Sequence, residues 1–146
     1  MVLRRLRVIF GRGETRPPGE PSNLFGLDPK ERDRIGTEDD PLRGFEAAME
    51  RHIQAEKSLQ NGDLDEAIRL YEASVAEEFV GSHPYERLAS LHERRRNYEE
   101  ALRACEAFVL LASSGTMPRG AQRSADRKLP WFEARIERYQ RLLDQP

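Results

Sequence analysis

Two stretches of this chain, set 34 residues apart, repeat one another: Gly62-Asp63-Leu64-Asp65-Glu66-Ala67-Ile68 and Arg96-Asn97-Tyr98-Glu99-Glu100-Ala101-Leu102. Both place an apolar residue, two acids, an alanine and an aliphatic residue in the same order. The offset extends beyond them, pairing Ala55 with Ala89 and Val75 with Val109. A fixed period of this size marks a stacked helical repeat, in which each unit is a supersecondary element that buries its apolar face on its neighbour. Strands have no place in such a pattern, so the expected fold is all-α.

The helices can be placed around the echo. A first helix is expected over 41–60, opened by Asp40 as cap and Pro41 in the first turn. Its apolar positions Leu42, Phe45, Met49, Ile53 and Leu59 recur every three or four residues with one longer gap, and so trace one face. Asn61-Gly62 breaks it, and Asp63 with Glu66 opens a second helix with Leu64, Ala67, Ile68, Tyr71 and Val75 inward. A third begins near His83, tolerates Pro84 in its first turn, and turns Tyr85, Leu88, Ala89 and Leu91 inward with His92 at the edge. Asn97 and Glu100 repeat the cap and start a fourth, with Tyr98, Ala101, Leu102, Cys105, Phe108 and Val109 inward. The polar stretch 113–124 reads as a loop. A last helix is expected over about 129–144, started at Pro130, with Phe132, Ile136, Tyr139 and Leu143 on one face. This gives about five helices: repeat 1 over 41–80, repeat 2 over 82–112, and a terminal helix that caps the stack, together a domain over 41–146.

Residues 1–40 differ in character. Gly11, Gly13, Pro17, Pro18, Gly19 and Pro21 punctuate a segment too poor in apolar residues to offset its ordering entropy, so a largely disordered arm is expected. Within it, Asp28, Pro29, Glu31 and Gly36 spell a short helix over 29–35, marginal by itself.

The chain of 146 residues has room for one domain, and its formal charge of −2 gives no global bias toward nucleic acid. A mean hydropathy of −0.78 suits thin helical arrays whose helices face water along much of their length. A single cysteine excludes an internal disulfide framework and fits a reducing compartment. No apolar run approaches the roughly 20 residues of a membrane span, and the stretch Val8-Ile9-Phe10 is too short for a signal sequence. A cytoplasmic location is the resulting expectation.

Between residues 55 and 108 the chain resembles the tetratricopeptide repeat superfamily. Ala67 and Ala101 stand where that family keeps its near-invariant alanine, Ala55 and Ala89 at its small position in the first helix, and Tyr71 at an aromatic position. The resemblance implies paired antiparallel helices in a short right-handed array, small side chains where helices cross, and a surface that holds a protein or peptide. Arg51, Gln54 and Ser58 depart from the family's tryptophan, leucine and aromatic preferences, so the first helix is off-pattern.

An array of this kind would bind along the face lined by its first helices. The candidates there are Met49, His52, Glu56 and Gln60 from the helix over 41–60, and Glu86, Ser90, Glu93 and Arg94 from the helix near 83. Mixed charge in a groove suits an extended peptide, whose backbone and charged ends such side chains can grip. His52 and Glu56, one turn apart, could share a metal, but two ligands are too few without a third nearby, so no metal is expected. Cys105 falls on the buried stripe and reads as inert core. No catalytic triad pattern, phosphate-binding glycine loop or paired carboxylate stands out, so neither an enzyme nor a cofactor is expected. The leading expectation is an adaptor or scaffold. The alternative is a peripheral membrane-surface or nucleic-acid-associated protein, targeted through Arg4, Arg5 and Arg7, with the helices as spacer or dimerisation unit. A self-assembling homo-oligomer is a third.

Overall fold

The 34-residue echo is a structural one. At Gly62 the backbone turns through a positive φ of 78°, and at its counterpart Arg96 through 58°. The hydrogen bonds around each turn coincide: Asp63 N donates to Ser58 O at 2.8 Å, and Asn97 N to His92 O at 2.9 Å. The next helix is then entered from Asp63 at φ −94°, ψ 82° and from Asn97 at φ −95°, ψ 76°. A left-handed residue at this point satisfies the last carbonyls of one helix and reverses the chain into the next. Two different sequences have thus built one corner twice.

A computed structural model describes residues 27–145 apart from 41 and 43, and all its regular structure is helical: α1 (Pro29–Asp33), α2 (Phe45–Gln60), α3 (Leu64–Ala76), α4 (His83–Arg94), α5 (Tyr98–Ala112) and α6 (Arg119–Leu143). From α2 onward each helix packs chiefly on its neighbour in sequence. Ala55, Ala67, Ala89 and Ala101 are wholly buried. Side chains this small let helix axes approach within the 8–10 Å typical of packed pairs. The core thickens toward α4, α5 and α6. There Phe108 stacks on Phe132 with ring centroids 4.5 Å apart, Tyr85 lies 5.1 Å from Phe108, and Trp131 meets Phe132 edge-on at 4.8 Å.

Four expectations need correction. First, α2 begins at Phe45, with Leu42 in a turn before it, and its inward face is set by Ala48 and Ala55; Met49 and Ile53 are exposed. The alanines allow close approach to α3, and Arg51 ties the same face to α3 by donating to Ser74 Oγ at 3.1 Å and pairing with Glu77. Second, the loop expected over 113–124 ends at Pro118. Helix α6 starts at Arg119, buries Ala125, and carries Pro130 in its interior on an exposed side. Gln122 Nε2 donates at 3.0 Å to the Ala112 carbonyl, satisfying one of the orphan groups at the end of α5.

Third, Leu143 is exposed, and Leu142 is the leucine of the last turn that packs on the core. Fourth, the short helix expected over 29–35 is present as α1 and is anchored on the domain rather than standing alone, while residues 1–26 of the expected disordered arm lie outside the described residues. Leu27 and Glu31 are buried, and α1 is closed by a full capping box between Asp28 and Glu31. The Glu31 carboxylate also accepts from Arg119 N at 3.0 Å, 88 residues on in sequence, and so satisfies an N–H that has no intrahelical partner at the start of α6. Arg4, Arg5, Arg7 and the rest of the basic arm lie outside the described residues.

Candidate functional site: the α2–α4 groove

Side chains of α2 meet those of α4 across a shared furrow, as in the Glu56–Arg87 pair and the His52–His83 ring contact. A cavity of about 320 Å³ opens between them, walled by Glu56, Leu59 and Gln60 from α2 and by Arg87, Ser90, Leu91 and Arg94 from α4. Four of the eight residues expected to bind a partner, Glu56, Gln60, Ser90 and Arg94, meet here. Leu59 and Leu91 supply an apolar floor and the rest a polar rim with both signs of charge. Arg94 is exposed and forms no ion pair among the described residues, whereas Arg95 is drawn to Asp65 at 2.7 Å and Arg96 is taken up in the turn. The three consecutive arginines therefore do three different things.

Glu56 is the hub of the furrow. Its carboxylate accepts from Tyr71 Oη at 2.6 Å and from Arg87 Nη2 at 2.9 Å, with His83 Nε2 at 3.9 Å. Burial acts to raise this carboxyl, but the Tyr71 hydrogen bond and the charges of Arg87 and His52 outweigh it and hold it below its usual range. Beyond Glu56 a smaller cavity of about 120 Å³ is lined by Ala48, Met49, His52, Tyr71, Ser74, Phe79, His83 and Pro84. Met49 and His52 belong to this second chamber. The His52 and His83 rings meet edge to face with centroids 4.2 Å apart, and His52 Nδ1 is buried without a hydrogen-bond partner among the described residues. Burial, His52 and Arg87 together push the His83 imidazole below its ordinary value, against the opposing pull of Glu56 and Glu86.

The other two expected residues are engaged elsewhere. Glu86 accepts from Ser82 Oγ at 2.6 Å and pairs with Lys128 of α6 at 3.3 Å. Glu93 accepts from Tyr139 Oη at 2.6 Å, Arg138 at 2.7 Å and Arg135 at 2.8 Å, all on α6. Both carboxylates fasten α6 to α4. No family model, curated protein or solved structure matches this chain. The groove is thus read from its own residues. Arg87 and His83 escaped the sequence reading because their partner Glu56 lies about 30 residues away on another helix. The one available signal was that each sits one face-step from Ser90 or Glu86 on α4.

Cys105 is buried, and burial pushes its thiol up to about 12, so it packs as a small apolar group. Among the described residues no helix is long and apolar enough to cross a membrane.

Proposed function

We propose that the chain is a non-enzymatic protein-interaction module, a tetratricopeptide-like pair of helical hairpins closed by α6, which takes an extended peptide segment of a partner along the α2–α4 furrow. The observation that carries this reading is the meeting of Gln60, Ser90 and Arg94 with Glu56 in one open furrow with an apolar floor. Such a furrow offers backbone-directed donors and acceptors, one exposed cation, and Leu59 and Leu91 for a side chain of the ligand. The repeated turn at Gly62 and Arg96 supports the hairpin arrangement, because it sets α2 and α4 in equivalent positions of successive units.

The test is affinity capture from native lysate with the wild-type chain and with a Ser90→Glu, Arg94→Glu double variant. Both side chains stand at the furrow without a role in the core, so the melting temperature is expected to stay unchanged. The wild type is expected to retain a protein that the variant loses, by tenfold or more for a charge reversal at a central contact, which is about 1.4 kcal/mol. Equal recovery by two equally folded chains would reject the furrow as the binding surface.

A further inference from the structure

Two clusters of metal-ligating side chains lie in the described residues, and they differ in their number of imidazoles and in how far arginine engages their carboxylates. Around His92, the carboxylates of Glu72 and Glu100 are both held by Arg103, with contacts of 2.5 and 2.6 Å. One guanidinium spans both carboxylates there, whereas the other cluster has two imidazoles and a single carboxylate, Glu56, which Arg87 meets at 2.9 Å. The other cluster joins His52 and Glu56 of α2 to His83 at the start of α4. One donor atom from each lies within 4.8 Å of the other two.

We propose that His52, Glu56 and His83 form a zinc-binding site across the contact of α2 with α4. The missing third ligand of the His52–Glu56 pair is supplied by the neighbouring helix. Two imidazoles and one carboxylate make a borderline-soft set that favours zinc over magnesium or calcium and leaves a fourth position open. At zinc–nitrogen distances of about 2.0–2.1 Å, tetrahedral ligand atoms stand roughly 3.3 Å apart. His83 Nε2 and Glu56 Oε2, at 3.9 Å, close to that spacing with small side-chain rotations. His83 has the freedom to make them, since its side chain is 46% exposed and sits in the first turn of its helix. The Tyr71 hydroxyl donates to that same oxygen, Glu56 Oε2, at 2.6 Å and so fixes the orientation of the carboxylate. Arg87 shares that carboxylate and opposes an incoming dication. Removing its charge should therefore tighten the site.

Isothermal titration of the full chain with Zn²⁺ near neutral pH tests this, joined by Co²⁺ absorption spectroscopy and by NMR of the histidine rings. One zinc per chain is expected, with tetrahedral Co²⁺ bands and zinc-induced shifts of the His52 and His83 rings. His52→Ala and His83→Ala should each weaken binding by more than about tenfold, and Tyr71→Phe by about tenfold, the usual effect of losing an outer-shell partner. Arg87→Gln should strengthen it, and His92→Gln should leave it unchanged. The ring shifts need no variant, so they remain decisive if a substitution disturbs folding. Absence of one-to-one binding, shifts confined to His92, or equal affinity of the His52→Ala, His83→Ala double variant would overturn the proposal.

Discussion

Glu93 shows how a single residue holds this chain together. Three donors from α6 converge on its carboxylate, and the Arg135 guanidinium also lies over the Trp131 ring at 4.2 Å, tying the ionic contact to the aromatic core. Burial acts to raise the Glu93 carboxyl, while the Tyr139 hydrogen bond with Arg138 and Arg135 carries it below the usual 4.5. A carboxyl with a lowered folded-state value stabilises the fold fully above 4.5 and loses that contribution as pH falls through the lower value. Tyr139→Phe is therefore expected to cost about 2 kcal/mol at neutral pH, as for a hydrogen bond to a charged acceptor, and less as the solution is acidified below 4.5. Urea denaturation of both chains across that range measures it, and a cost independent of pH would contradict it. None of this was legible in the sequence. Glu93 stands at the groove-facing register of its own helix, and only the position of Arg135, Arg138 and Tyr139 on another helix diverts it. Cys105 and Ala101, by contrast, were readable, because their burial follows from the spacing on α5 alone.

At the scale of elements, the corner between paired helices is the best-encoded feature. Gly62 and Arg96 occupy the same left-handed corner, and a Cβ at Gly62 would meet nothing within 4 Å, so backbone conformation alone separates the two. A non-glycine residue held there carries a strain of about 1–2 kcal/mol, partly offset by the greater chain entropy that glycine loses on folding. Arg96→Gly is expected to raise stability by about 0.5–1 kcal/mol and Gly62→Arg to lower it by a similar amount. Denaturant midpoints with unchanged slopes would check both, and a destabilising Arg96→Gly would contradict the equivalence of the two turns. The faces of α2 and the start of α6 were harder to read. In α2 the large apolar residues Met49 and Ile53 outweigh Ala48 and Ala55 in any hydrophobic pattern, yet close packing on α3 selects the small ones. In α6, Pro130 looks like a helix start, but it lies on the exposed side of a longer helix whose first turn is fixed by contact with Glu31. Both errors share a cause: helix–helix contact decides, and local pattern does not.

For the molecule as a whole, α6 does two things at once. It covers Phe108 and the apolar end of α5, and through Lys128, Arg135 and Arg138 it occupies the α4 carboxylates Glu86 and Glu93. What remains open on α4 is the side facing α2, where Arg87, Ser90, Leu91 and Arg94 line the furrow. This remaining face is the one proposed to receive a partner. A photo-crosslinking side chain placed at Gln60, which is exposed in the furrow, tests it most directly against one placed at Leu110, 74% exposed on α5 and outside the furrow's lining. A crosslinked partner is expected from position 60 and none from position 110. The same partner trapped equally from both positions, or from position 110 alone, would contradict it.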